Sequence, residues 1–359
     1  MPGSPRWPLI PICRGRWSAA LSLVMSAAVA GLLPWAACTA ARAASATSPL
    51  AVTEVAAGVF AHTGALEDWA PANGGDVANI GFVVGSRCVA VIDTGGTPGV
   101  GQALRAAVAR ATTLPVCYVI NTHAHPDHVL GNLAFVDAGQ TAPRFVASAR
   151  YTHTLAAREP YYLNALQRDF GIHLTHTDIV YPTLTVDKSL DLDLGDRVLT
   201  LQSWPTAHTD NDLTVFDQRT RTLFASDLLF VQHLPGLDGS LRGWITVMAE
   251  LKRLDVATVV PGHGAVSNHW PAAMDAQSDY LNGLLRDTRA AIRSHLTIQQ
   301  AVDRIGVPPG SHWVLTDRFH RRNVTAAYAE LEWEDDDAKA PAPPPSAVSS
   351  ARSRRVGAD

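Results

Sequence analysis

The chain has 359 residues, with 29 Lys and Arg against 33 Asp and Glu and a formal net charge of −4. That balance, with no basic stripe, argues against a nucleic-acid partner. Of its four cysteines only Cys88 and Cys117 lie beyond residue 46, too few for a fold built on a disulfide framework.

Residues 1–46 carry Arg6, Arg14 and Arg16 ahead of an uncharged stretch, 18–41. Ala41-Arg42-Ala43 and Ala44-Ser45-Ala46 then have the A-x-A form of a cleavage site. This is the pattern of a secretory signal peptide and predicts a periplasmic or secreted protein. A membrane anchor is the competing reading, because the apolar run approaches spanning length. Pro34 and the two triplets favour removal, which leaves no stable membrane span, and Trp35 is a poor residue three before a lipidated Cys38. At the other end, residues 334–359 open on an acidic cluster and run through Ala-Pro-Ala-Pro-Pro-Pro-Ser into a basic, serine-rich tail, a composition that predicts disorder. Residues 49–333 remain as one layered α/β domain without an internal linker.

Within that domain, residues 52–62 alternate loosely as a strand, and a Gly/Asp/Asn-rich loop follows to Ala78. Strands are predicted at 80–84 and 88–92, turning at Gly85-Ser86. Thr97 and Pro98 open a helix with apolar positions at Val100, Leu104, Val108 and Ala111. A continuously apolar strand, 116–120, follows. Cys88 and Cys117 both lie in such runs, so two buried thiols are expected, although an exported protein permits a disulfide. Residues 148–174 read as a helical stretch rich in Tyr and Arg, with His153, His173 and His176 as surface histidines. Strands resume at 190–194, 197–202, 213–216 and 222–225. A helix at 241–253 precedes a strand at 256–260, and three helical segments from about residue 267 close the domain. The second of these begins with Thr297 and Gln300 spaced as a capping box. Two β-rich halves with helices outside predict a four-layer αββα sandwich.

The chemistry concentrates in His123-Ala124-His125-Pro126-Asp127-His128, which places four metal-binding side chains in six positions after an apolar strand. Neutral imidazole suits zinc and similar borderline metals, and the carboxylate extends such a site to a second ion. His208, Asp227 and His263 each follow an apolar strand or its turn. Ligands on successive strand ends converge on one sheet edge, where α/β folds place their sites.

These motifs, with Asp93 in Val91-Ile92-Asp93-Thr94-Gly95, resemble the metallo-β-lactamase superfamily over about residues 52–265. The resemblance implies that His123, His125 and His208 hold one metal. Asp127, His128 and His263 would hold the other, with Asp227 bridging. Asp93 would support the turn without binding metal. Antibiotic-hydrolysing members usually carry Cys or Ser where Asp227 stands, and a bridging Asp is typical of glyoxalase II-like enzymes. Three segments resemble the quinoprotein relay system zinc metallohydrolases: Ala78-Asn79-Ile80-Gly81-Phe82, 207–213 and 233–244. So does Phe319-His320-Arg321-Arg322-Asn323-Val324. Those proteins are exported and associated with pyrroloquinoline quinone (PQQ)-dependent dehydrogenase systems, so a functional link to such a dehydrogenase is implied.

The implied reaction is hydrolysis of an ester, thioester or amide in a small-molecule substrate. A hydroxide shared by two zinc ions, with iron or manganese as alternatives, would be the nucleophile, and Asp127 would orient it and relay a proton. His233 and Arg242 are placed near the cleft mouth as ligands for an anionic part of the substrate. The rival readings are a β-lactam hydrolase, a single-iron redox enzyme and a non-catalytic carrier of a quinone cofactor.

Overall fold

The computed structural model describes residues 49–136, 142–308 and 312–334. The leader, and the tail beyond Glu334, lie outside the described residues. Glu334 itself accepts both Nε and Nη2 of Arg289 at 2.8 Å.

A seven-stranded sheet runs β1 (Thr53–Ala56), β2 (Val59–His62), β3 (Ile80–Val84), β4 (Val89–Ile92), β5 (Val116–Ile120), β6 (Arg144–Ser148) and β7 (Leu184–Val186), in that spatial order. Pairing is antiparallel from β1 to β4 and parallel from β4 to β7. The second sheet holds β8 (Ser189–Asp193), β9 (Val198–Ser203), β10 (Leu213–Asp217), β11 (Thr222–Phe230) and β12 (Thr258–His263), with β11 and β12 parallel. The stretch 52–62 is thus two strands, broken where Gly58 takes φ 69°. β6 and β7, short and flanked by loops, are additional to the strands predicted from sequence.

Strand alternation builds the layers. In β4, Ala90 and Ile92 point inward and pack with Leu199, Leu201, Val215 and Phe224 of the second sheet. Val89 and Val91 point outward to Val100, Leu104 and Val108 of helix α1 (Pro98–Ala111). Thr97 caps that helix by accepting from the Val100 N–H, with Pro98 in the first turn. Burying Leu104 completely contributes about 1.5–3 kcal/mol. The outer face of the second sheet packs against α4 (Leu241–Leu251), α5 (Asp275–Arg293), α6 (Ile298–Arg304) and α7 (Thr316–Leu331). Helix α3 (Tyr151–Phe170) covers the turn that follows β5. The result is the four-layer αββα sandwich. No helix among the described residues is long and apolar enough to cross a membrane.

Cys88 and Cys117 form a disulfide, correcting the expectation of two thiols. Cys88 leads into β4 and Cys117 lies in β5, its parallel neighbour. The register slips between Val89–Val116 and Ala90–Tyr118, leaving the two Cα atoms 5.8 Å apart. Spacing along the sequence does not reveal such a slip.

Two polar clamps join the sheets at opposite ends of β3. Before the strand, the Asn79 Nδ2 donates to the carbonyls of Pro261 (2.9 Å) and Gly264 (2.7 Å). Beyond it, the buried Arg197 donates to the carbonyls of Val84 and Ala57 and pairs with Asp217. The first clamp lies beside the site.

Candidate metal centre

β5 ends at Ile120, and the turn that follows enters a short helix, α2 (Pro126–Val129), with His125 at its N-cap position but no side-chain cap. Pro126 has no N–H to leave unsatisfied there, and the turn aims Asp127 and His128 one way and His123 and His125 the other. Asp227 sits within β11 and not beyond its end, which revises the sequence-based placement. Ser226 adopts φ 47°, and the pairing with β12 shifts register around it. That kink lets a carboxylate leave an otherwise apolar, fully buried strand. Gly262 faces it, where an added Cβ would lie 1.9 Å from Asp227 Oδ1, so only glycine fits.

The seven sequence-selected residues converge in two groups. His123, His125, His208 and Asp227 form one, and Asp127, His128 and His263 the other. Asp227 spans both. Its Oδ2 lies 3.2 Å from His208 Nε2 and 3.6 Å from His123 Nε2, and its Oδ1 lies 3.1 Å from His128 Nε2 and 3.5 Å from His263 Nε2. Asp127 Oδ2 is 3.4 Å from His263 Nε2 and 3.7 Å from His128 Nε2.

The other ring nitrogens fix the tautomers. His208 Nδ1 donates to the Gly236 carbonyl (2.6 Å) and His263 Nδ1 to that of Val77 (3.0 Å). His128 Nδ1 donates to Asp93 (2.8 Å), and His125 Nε2 to Asp238 (2.9 Å). Carbonyls and carboxylates only accept, so each of these rings, when neutral, turns a lone pair toward the centre. His125 Nδ1 and His208 Nε2 then meet at 3.0 Å as two acceptors. His123 Nε2, His128 Nε2 and Asp227 Oδ1 are buried without a hydrogen-bond partner. Acceptors facing acceptors in a buried site call for positive charge between them, a proton or a metal ion, and an imidazole and carboxylate set suits a divalent metal.

The electrostatics express the same demand. Burial lowers the affinity of His128 for a proton, but the carboxylates of Asp227, Asp127 and Asp93 outweigh it and hold the ring well above the usual imidazole range. Burial would raise Asp227, yet the surrounding His128, His263 and His123 keep it well below the carboxylate range. His123 is pushed well below its ordinary value by burial and by His128. Asp93 stands at φ 54° and also accepts the Thr122 N–H and hydroxyl, each at 2.8 Å. It therefore supports the turn from behind His128.

The centre opens into a cleft of about 240 Å³. Trp69 of the β2–β3 loop, Tyr161 and Arg158 of α3, and Phe319 and Arg322 of α7 form its walls. His233 lines it, but burial and the neighbouring His263 lower its pKa to about 4, so it presents a neutral ring and no positive charge. Arg242 is not among the lining residues. It lies on α4 and pairs with Glu334 at 3.2 Å, which moves the cationic wall from the predicted loop to Arg158 and Arg322. Asp238, Arg158, Arg322 and Asn323 received no role from the sequence. Asp238, Arg322 and Asn323 do fall in the segments singled out by resemblance, the one signal that marked them; Arg158 does not.

The family model described as Metallo-beta-lactamase superfamily matches residues 73–263. The chain belongs to the metallo-β-lactamase superfamily. No curated protein sequence matches it. Among solved structures it is similar to a metallo-beta-lactamase from Pontibacter korlensis, at 20% identity and TM-score 0.53, over 65% of this chain and 99% of that one. It is also similar to the stereoselective inverting sec-alkylsulfatase Pisa1 from Pseudomonas sp., at 17% identity and TM-score 0.58, over 80% of this chain. The chain spans about half of that sulfatase, 51% of its length. At such identities the likeness is one of fold. Superfamily, sandwich and His/Asp cluster together make this a metal-dependent hydrolase.

Proposed function

We propose that the chain is an exported dinuclear zinc hydrolase that cleaves an ester, thioester or amide and serves a PQQ-dependent dehydrogenase system. The observation that carries the dinuclear reading is Asp227, which offers one oxygen to each ligand group. Zinc is favoured by the imidazole-rich donor set. Export is supported by the leader and by the Cys88–Cys117 disulfide, which suits an oxidising compartment. The dehydrogenase link rests on the resemblance of segments 78–82, 207–213, 233–244 and 319–324.

Two such ions, when bound, supply Lewis acidity and bring the pKa of water to about 7. The protein's own part is placement. Asp93, Asp238 and the carbonyls of Gly236 and Val77 fix four imidazole orientations before substrate arrives. Asp127 is partly exposed at the cleft floor, which supports its role in orienting the attacking water and passing its proton to the leaving group. Trp69, Tyr161 and Phe319 give the cleft an aromatic wall beside the metal ligands. No Ser or Cys nucleophile is required.

The test is metal analysis of the mature protein together with a panel of carboxylic ester, thioester, lactam and sulfate ester substrates. Two zinc ions per chain, and turnover lost to a chelator and restored by zinc, are expected, with little lactam cleavage. One iron per chain would favour the redox reading. Fast cephalosporin turnover would make the chain a lactamase, and preferred sulfate ester cleavage would overturn the carbonyl substrate.

A further inference from the structure

The segments 233–244 and 319–324 stand far apart in sequence, and neither contributes a member of the metal cluster. In the fold they meet at Asn323 of α7, which is 1% exposed. Its Oδ1 accepts the Leu237 N–H at 2.9 Å, and its Nδ2 donates to the Pro235 carbonyl at 2.6 Å and to Tyr280 Oη at 2.9 Å. A backbone N–H can only donate and a carbonyl only accept, so the orientation of this amide is fixed by its partners. Between the two gripped residues lies Gly236, whose carbonyl holds His208 Nδ1 at 2.6 Å. One residue past the grip is Asp238, whose carboxylate holds His125 Nε2 at 2.9 Å. Residues 234–237 have no helix or strand of their own to fix these acceptors.

We propose that Asn323 is a positioning residue of the metal centre: by clamping residues 235–237 it sets the orientation of His208 and His125, two ligands of the same metal. The proposal rests on the dinuclear reading above. It gives the two segments one shared role, in which α7 supplies the clamp and the loop supplies the acceptors. The far side of the clamp is anchored as well. Tyr280 Oη donates on to His320 Nδ1 (3.1 Å), and His320 Nε2 to the Ile305 carbonyl (2.9 Å), so the amide is held by α5 and by the end of α6. Partners that orient metal-binding histidines are worth about 10–100-fold in metal affinity, and a residue acting through them falls at the lower end of that range.

The experiment compares the mature wild-type protein with Asn323→Asp and Tyr280→Phe. Asn323→Asp keeps the shape but sets a carboxylate oxygen against the Pro235 carbonyl. Tyr280→Phe keeps the ring but removes the hydroxyl that accepts from Asn323 Nδ2, and leaves the two bonds to the loop in place. Zinc affinity is measured by competition with a chromophoric chelator, ligand geometry by the visible spectrum of the cobalt-substituted protein, and folding by the melting temperature of the metal-free protein. Asn323→Asp is expected to weaken one zinc equivalent about 10-fold and to change the cobalt spectrum. Tyr280→Phe is expected to lower the melting temperature alone. Asn323→Ser, which adds no charge, carries the same test should the aspartate variant not fold. An asparagine variant that melts lower but keeps wild-type affinities and spectrum overturns the positioning role while the dinuclear reading stands. A wild-type protein that binds no metal overturns both.

Discussion

His125 and His128 stand three residues apart on one turn, yet their anchors differ in kind. His128 is held by Asp93, a carboxylate 1% exposed at the end of β4, which also takes the Thr122 N–H and hydroxyl. His125 is held by Asp238, whose side chain is 36% exposed on a loop and also pairs with Arg158 of α3 at 2.5 Å. One anchor is built into the sheet. The other is assembled from a loop and two helices, and depends on tertiary contacts arriving late in the chain. Burial strengthens the first, because a charged hydrogen bond in a low-dielectric site is costly to lose. Solvent weakens the second.

Asp227 belongs to both halves, so its loss should erase the comparison altogether. Asp227→Asn is expected to reduce kcat by about 10²–10³-fold or more and bound metal to below two per chain, measured by turnover and elemental analysis. The disulfide tests the inner half through its scaffold, since β4 and β5 deliver Asp93 and His123. With the cysteines 29 positions apart in sequence, a Cys88→Ser, Cys117→Ser protein should lose about 3–4 kcal/mol in denaturant unfolding while its folded fraction keeps wild-type kcat. Next in size, Asp93→Asn turns one of two accepting oxygens into a donor, so the amide can no longer accept from both His128 Nδ1 and the Thr122 N–H and the buried charge behind His128 is lost. Metal affinity should fall toward the 100-fold end of the range for such partners, read by chelator competition.

The same contrast explains what the sequence disclosed. Local order was sufficient for a strand and its ligand-dense turn, whereas the role of Asp93 at the end of the preceding strand came only from the family resemblance. Periodicity placed α1 and β3 to β5, because each of these elements buries a regular face. The outer half was legible only as residues in unexplained segments. Nothing in the spacing of Asp238 or Asn323 indicates that one meets His125 across 113 positions and the other grips Leu237 across 86. Arg242 drew attention by its charge and its place in the loop, but α4 turns it toward Glu334. The disulfide was permitted by an exported chain but set below two buried thiols, because it depends on a register slip between neighbouring strands that spacing does not reveal.

Asp238→Asn probes the outer anchor directly and should cost less than Asp93→Asn, about 10-fold in the affinity of one metal. An equal or larger loss would mean that the loop anchor, despite its exposure, carries as much as the sheet anchor. The asparagine keeps the shape and can still accept from His125, but it removes the charge that faces Arg158.

The smallest effect belongs to the cleft wall. Arg158 is engaged by Asp238, whereas Arg322 lines the cleft from α7 and forms no ion pair among the described residues. It is therefore the cleft arginine with charge to offer an anionic substrate. Arg322→Gln should raise KM about two- to five-fold for an ester with a distal carboxylate, the scale of a solvent-exposed ion pair, with kcat unchanged. A neutral ester with the same leaving group should be cleaved as before, and the difference between the two should shrink as salt screens the charge. If both esters lose equally, the substitution acts through the adjacent Asn323 and the outer anchor. In that case the wall and the clamp are one device, and the cleft selects its substrate by shape and not by charge.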